Sequence, residues 1–174
     1  VTVIGRDRPG IIAEVTGVLA ELGGNLEDSS MTLLRGHFTW TLIVDIDTSA
    51  DQLQGRLAPL SADELVVSVL PVGPEEVHGG QPGYVLSVHG ADRPGIVAGV
   101  TSTLAAHGGN ITDLSTRLGQ GGMYVLVAEV SLPTGVDVVA LGAQLSDAGR
   151  ALGVGVSLRP ADSDSVLDVA RFRR

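Results

Sequence analysis

"GRDRPGIIAEVTGVLAELGGN" (Gly5–Asn25) and "GADRPGIVAGVTSTLAAHGGN" (Gly90–Asn110) are one stretch of sequence written twice, identical at 14 of 21 positions. The offset is 85 residues at the front, from Asp7 to Asp92, and again at the back, from Asn25 to Asn110. So constant an offset implies two copies of one module of about 80 residues each. A unit of that size buries a modest core by itself.

The stretch also fixes the local structure around it. Val1 to Ile4 is short and β-branched and reads as a buried strand. In Asp7-Arg8-Pro9-Gly10, Pro9 fits the first turn of a helix, where its missing N–H costs nothing. Asp7 is then placed to accept from the free amides of that helix start. Ile11, Ile12, Val15, Val18, Leu19 and Leu22 form one helical stripe, and Gly23-Gly24 ends it.

Asn25 to Leu34 reads as a second strand whose imperfect alternation suggests a bulge. Arg35-Gly36 is a tight turn into a third strand, Phe38 to Ile46. Leu53, Leu57 and Leu60 mark a second helix, and Leu65 to Leu70 a fourth strand. The second copy repeats this order through Tyr84–His89, the stripe Ile96, Val97, Val100 and Leu104, and a hairpin around Gln120-Gly121-Gly122. Val138, Leu141, Leu145 and Leu152 then line its second helix, and Val154, Val156 and Leu158 alternate as a strand.

The order β-α-β-β-α-β, twice, predicts an α+β fold of two ferredoxin-like units. Each has an antiparallel sheet with both helices on one face. The expected boundaries are residues 1–72, a Pro- and Gly-rich linker at 73–83, a second unit at 84–160 and a tail at 161–174.

Composition narrows the function. A net charge of −9 with no Lys argues against direct nucleic-acid binding. Of the 11 Arg, only Arg171, Arg173 and Arg174 cluster, as a solvated tail or a docking tail for an acidic partner. With no Cys there is no disulfide frame and no thiolate nucleophile. No signal-peptide pattern and no long apolar run is present, so a soluble, cytoplasmic protein is expected. Because Val1 already lies inside a strand, a short N-terminal piece is expected to precede it.

The residues offer little for catalysis. His37, His78, His89 and His107 are not at metal-ligand spacing, and His89 draws notice only because it ends a strand beside the motif. No nucleophile elbow, phosphate loop or dinucleotide fingerprint occurs. The repeated Asp-Arg-Pro-Gly is either a strand-to-helix junction or a ligand loop. Two features favour the loop. Arg8 and Arg93 recur without a capping role, and Asn25 and Asn110 recur after a Gly-Gly turn. Helix-start amides attract a carboxylate. An Asp carboxylate and an Asn amide close by would hold an ammonium group, which together describes an α-amino acid. The loop and the start of the second strand are expected near each other at one end or edge of the unit.

The motif "DRPGI…GGN" after a β-strand, in a βαββαβ unit, resembles the ACT domain, a small amino-acid-sensing regulatory module. Tandem ACT units with nothing else attached are similar to the glycine cleavage system transcriptional repressor family. The resemblance implies units paired side by side through edge strands, with a small amino acid at the seam. In the regulatory domain of phosphoglycerate dehydrogenases the ligands come from the first loop and from the Asn opening the second strand. Carried over, these are Asp7, Arg8, Pro9, Gly10, Ile11 and Asn25, and in the second copy Asp92, Arg93, Pro94, Gly95, Ile96 and Asn110.

Serine-binding relatives carry Asn at Asp7 and Asp92, and His at Gly5 and Gly90. The ligand therefore need not be serine, and the smaller Gly is expected to leave room. The expected function is a non-enzymatic sensor without a cofactor, acting through a regulatory partner protein, with homodimerisation over an edge strand. It would serve in transcriptional control of amino-acid metabolism. The alternatives are a ligand-free scaffold and, further off, an acylphosphatase-like enzyme, against which Asp7 would repel phosphate.

Overall fold

The computed structural model describes residues 1–61, 64–73 and 83–161. Most of the expected linker, with His78, and the tail with Arg171, Arg173 and Arg174 lie outside these residues. The chain divides into two units, Val1–Glu75 and Glu76–Arg174.

Unit 1 runs β1 (Thr2–Arg6), α1 (Ile11–Glu21), β2 (Asn25–Leu34), β3 (His37–Asp45), α2 (Ala50–Leu57) and β4 (Leu65–Ser68). Its sheet has the order β2-β3-β1-β4, with every neighbouring pair antiparallel. Unit 2 runs β5 (Gly83–Ala91), α3 (Ile96–Ala106), β6 (Asn110–Leu118), β7 (Met123–Ser131), α4 (Val138–Leu152) and β8 (Val154–Pro160). Its order is β6-β7-β5-β8, again antiparallel throughout. Both units thus have the predicted βαββαβ architecture.

Strand alternation turns one face of each sheet to the helices. In unit 1, Val3, Phe38, Trp40, Leu42, Leu65 and Val67 meet Ile11, Val15 and Leu19 of α1 and Leu53 and Leu57 of α2. In unit 2, Leu86, Val88, Leu126, Ala128 and Val130 meet Ile96, Val100 and Leu104 of α3 and Leu141 and Leu145 of α4. Fully burying side chains of this kind stabilises by roughly 1.5–3 kcal/mol apiece. The expected bulge is present, and at the same place in each copy, between Leu26 and Asp28 and between Ile111 and Asp113. Arg35 and Gly36 both have left-handed backbones, as a two-residue hairpin turn demands.

Candidate functional site

The two helices of each unit begin differently. The Ser49 hydroxyl caps α2 by accepting from the Gln52 amide, and the Asp137 carboxylate caps α4 by accepting from the Ala140 amide. Neither α1 nor α3, the helices that follow the motif, has a side-chain cap. This corrects two expectations. Asp7 and Asp92 do not cap, and Pro9 and Pro94 precede the helix rather than opening it. The N-caps are Gly10 and Gly95, held at φ of 96° and 91°, a conformation that Gly adopts at no steric cost. The chain turns through that glycine directly into the helix, which places Asp7 and Asp92 outside it. The first-turn amides, which have no intrahelical partner, are left without a side-chain acceptor.

In unit 1 the residues of that first turn border a largely apolar cavity of about 470 Å³. Asp7, Arg8 and Gly10 form one side, Ile11, Ile12 and Ala13 the helix side, and Met31, Leu33 and Phe38 the sheet side. Of the residues expected in the first copy, Asp7, Arg8, Gly10 and Ile11 are brought together here. The loop is tied to the hairpin tip by the Asp7 amide, which donates to the Gly36 carbonyl at 3.0 Å. Arg8 makes a two-point ion pair with Glu14, Nη1 to Oε1 at 2.7 Å and Nη2 to Oε2 at 2.6 Å. The hydrogen bond from Arg8 holds the Glu14 carboxyl below the usual carboxylate range.

Asn25 is not at this site. Asn25 pairs with Asp45 and Leu34 with His37, while Arg6, just before the loop, also pairs with His37. Helix α1 carries the chain back along the sheet, so β2 starts at the end away from the loop. The separation from His37 to Asp45 is about 26 Å at ~3.3 Å per residue. Unit 2 repeats this, with Asn110 opposite Ser131 and the Asp92 amide donating to the Gly122 carbonyl at 3.2 Å. The expectation that loop and Asn meet within a unit is therefore wrong.

The position of Gly5 is also not roomy. A Cβ there would overlap the Glu64 carbonyl oxygen and come within 2.8 Å of Leu65 Cα. At Gly90 it would lie 2.8 Å from Val154 Cγ1 and 3.0 Å from Val154 Cα. Close approach of the central strand to its neighbour, not space for a ligand, accounts for glycine at both positions.

The copies differ around the motif. The residue aligned with Glu14 is Gly99, so unit 2 has no carboxylate there, and the Leu152 side chain of α4 packs close, 2.8 Å from where a Cβ would lie. Arg93 instead sets its guanidinium over Gly153, the C-cap of α4, a favourable place for a cation. Register aligns Met31 with Thr116 and Phe38 with Tyr124. Thr116 and Tyr124 thus put hydroxyls where unit 1 has a thioether and a phenyl ring. Burial pushes the Tyr124 phenol up, and the nearby Asp92 charge pushes it further. The sequence reading missed Met31, Leu33 and Phe38. Their signal was their alternation on the helix-facing side of the hairpin, where the copies disagree at Met31 and Phe38 and agree at Leu33, the counterpart of Leu118.

His89 lies against Gly155, where a Cβ would sit 2.7 Å from the ring, and the His107 Nε2 is 2.9 Å from Gln144 Oε1. Among the described residues there is no group of His, Cys, Asp and Glu suited to a metal, and no helix is long and apolar enough to cross a membrane.

The ACT-domain family profile matches residues 1–66 and, in a second form, residues 84–137. The chain belongs to the ACT-domain family. It is 45% identical over 73 residues to a UPF0237 protein of Methanopyrus kandleri, covering 40% of this chain and 80% of that one. It is 30% identical over 119 residues to the glycine cleavage system transcriptional repressor of Escherichia coli, covering 67% of this chain and 63% of the repressor. Among solved structures, a protein of unknown function from Galdieria sulphuraria superposes with a TM-score of 0.78 at 27% identity, over 92% of this chain and 96% of that one. This tandem ACT protein is thus a relative of regulatory proteins, and its two sheets are the fold of that family.

Proposed function

We propose that this tandem ACT protein is a non-enzymatic regulatory sensor for an α-amino acid, held at the motif end of a unit. The cavity beside Asp7 and the uncapped start of α1 carries the reading. The ligand's carboxylate lies on the amides of the first turn, and its ammonium group faces Asp7. Asn25 enters from a second copy of the chain. β2 is an edge strand, exposed along its whole length. Two such strands running antiparallel bring the Asn25 end of one to the loop end of the other. The ligand shifts association only through its differential affinity for the paired and unpaired arrangements, and a regulatory partner protein reads that difference. Similarity to the glycine cleavage repressor supports a role in transcriptional control of amino-acid metabolism, exerted through protein rather than DNA contacts at a net charge of −9.

A thermal-shift screen of the twenty amino acids at millimolar concentration tests the reading. A ligand at 100 times its Kd adds about 2.7 kcal/mol. Asp7→Ala should remove the shift while leaving the unliganded midpoint nearly unchanged. If no amino acid produces a shift, the exposed β2 edge favours the second reading, a ligand-free pairing scaffold.

A further inference from the structure

We infer that the motif site of unit 1 selects an α-amino acid with an apolar side chain of leucine or methionine size, and that the aligned site of unit 2 rejects it. This rests on the amino-acid reading above and goes beyond it to name the ligand class and the residues that choose it. The wall opposite Asp7 consists of Ile12, Met31, Leu33 and Phe38. Ile12, Met31 and Leu33 are 44%, 50% and 51% exposed, which is high for side chains grouped around one cavity. An apolar side chain entering between α1 and β2 would take them out of water together. The charged residues of the lining, Asp7 and Arg8, come from the loop instead, beside the uncapped start of α1; Asp7 suits an ammonium group and the helix start a carboxylate. A zwitterion with an apolar tail matches both halves. A volume of about 470 Å³ lies within the range of small-ligand pockets.

In unit 2 two of the four wall positions carry hydroxyls, Thr116 for Met31 and Tyr124 for Phe38, while Leu118 stands for Leu33 and Val97 for Ile12. An apolar group placed over the two hydroxyls would desolvate both without replacing what they lose. The loop, helix start and Asp are retained while two of the four wall positions change, so the difference bears on the ligand's side chain and not on its backbone groups.

Isothermal titration of the whole chain with leucine, isoleucine, methionine and phenylalanine, against glycine and serine, tests this. At least one apolar amino acid should bind ten times more tightly than glycine, the size of effect a few methylenes produce in an apolar pocket. Met31→Thr, a change at a half-exposed edge position, should reduce that preference to less than threefold. Trp40 pairs with Met31 and packs edge-on against Phe38 at 6.5 Å. It is the sole Trp, so its fluorescence should change on binding and locate the site. If glycine or serine binds as well as the apolar set, or if the preference survives Met31→Thr, this inference is overturned while the sensor reading stands. If no amino acid binds, both fall.

Discussion

Replacing Gly5 by Ala adds one methyl group and should cost unit 1 much of its stability. The methyl would overlap the Glu64 carbonyl oxygen and lie 2.8 Å from Leu65 Cα, both backbone atoms that no rotamer change can move aside. Restoring an ordinary carbon–carbon approach of about 3.5–4.0 Å requires a shift of about 1 Å between β1 and the chain entering β4. That shift strains the bond from the Arg6 amide to the Glu64 carbonyl, 3.3 Å long, and the adjoining β1–β4 pairing. Overpacking typically costs 1–3 kcal/mol, and a weakened backbone hydrogen bond about 1 kcal/mol more. A loss of about 3 kcal/mol is a large share of what a domain of this size holds.

The assay is specific to the unit. Trp40, the sole Trp and 4% exposed in the unit 1 core, reports its unfolding by fluorescence. The Trp40 midpoint should fall by about 12–24 °C. Gly17→Ala, in α1 with open space around its Cβ, is the control and should stabilise by roughly 0.5–1 kcal/mol. A Gly5→Ala midpoint within 2 °C of the parent would refute the close-approach account and reopen that position as ligand space.

Three further outcomes are expected. In Gly149→Ala the new methyl would overlap Val156 Cγ2 and sit 2.9 Å from the Val154 carbonyl oxygen. Circular dichroism should therefore show earlier unfolding of unit 2, by about 2 kcal/mol or more, with the Trp40 midpoint unmoved. Gln54 donates to the Val67 carbonyl and accepts from the Val69 amide, fastening the outer side of β4. Gln54→Ala should cost about 1–2 kcal/mol, read by urea denaturation at Trp40. The Glu14 carboxyl titrates below its ordinary value because Arg8 bonds to its charged form. The stability from that pair is therefore present above the unfolded-state pKa and lost as pH falls through the folded one. An NMR titration should find the Glu14 pKa moving upward in Arg8→Ala.

The architecture was legible because it rests on periodicity. The stripe Ile11, Val15, Leu19 and the alternation Phe38, Trp40, Leu42 are local patterns, and both ended up buried. Repetition sharpened the reading, since a bulge suspected in one copy recurs in the other. The site was legible only in part. Asp7, Arg8, Gly10 and Ile11 are contiguous and meet in one cavity, whereas Asn25 is carried to the far end of the sheet by the length of α1. Nor does a sequence show that the neighbour of Gly5 is the carbonyl of Glu64, which depends on how two strands remote in the chain approach. Pro9 misled because an open-ended helix begins at a left-handed glycine, and residue preferences at helix starts describe capped ends.

The bond from the Asp7 amide to the Gly36 carbonyl recurs as Asp92 to Gly122, although the second hairpin tip is built differently. It makes the motif loop and the tip of the β2–β3 ribbon a single mechanical piece. Whatever settles the loop also steadies the ribbon that forms the β2 edge of the sheet. A molecule bound at the cavity would thus have a short lever to edge strand β2, and exchange of one amide proton, that of Asp7, measures how firmly the lever is held.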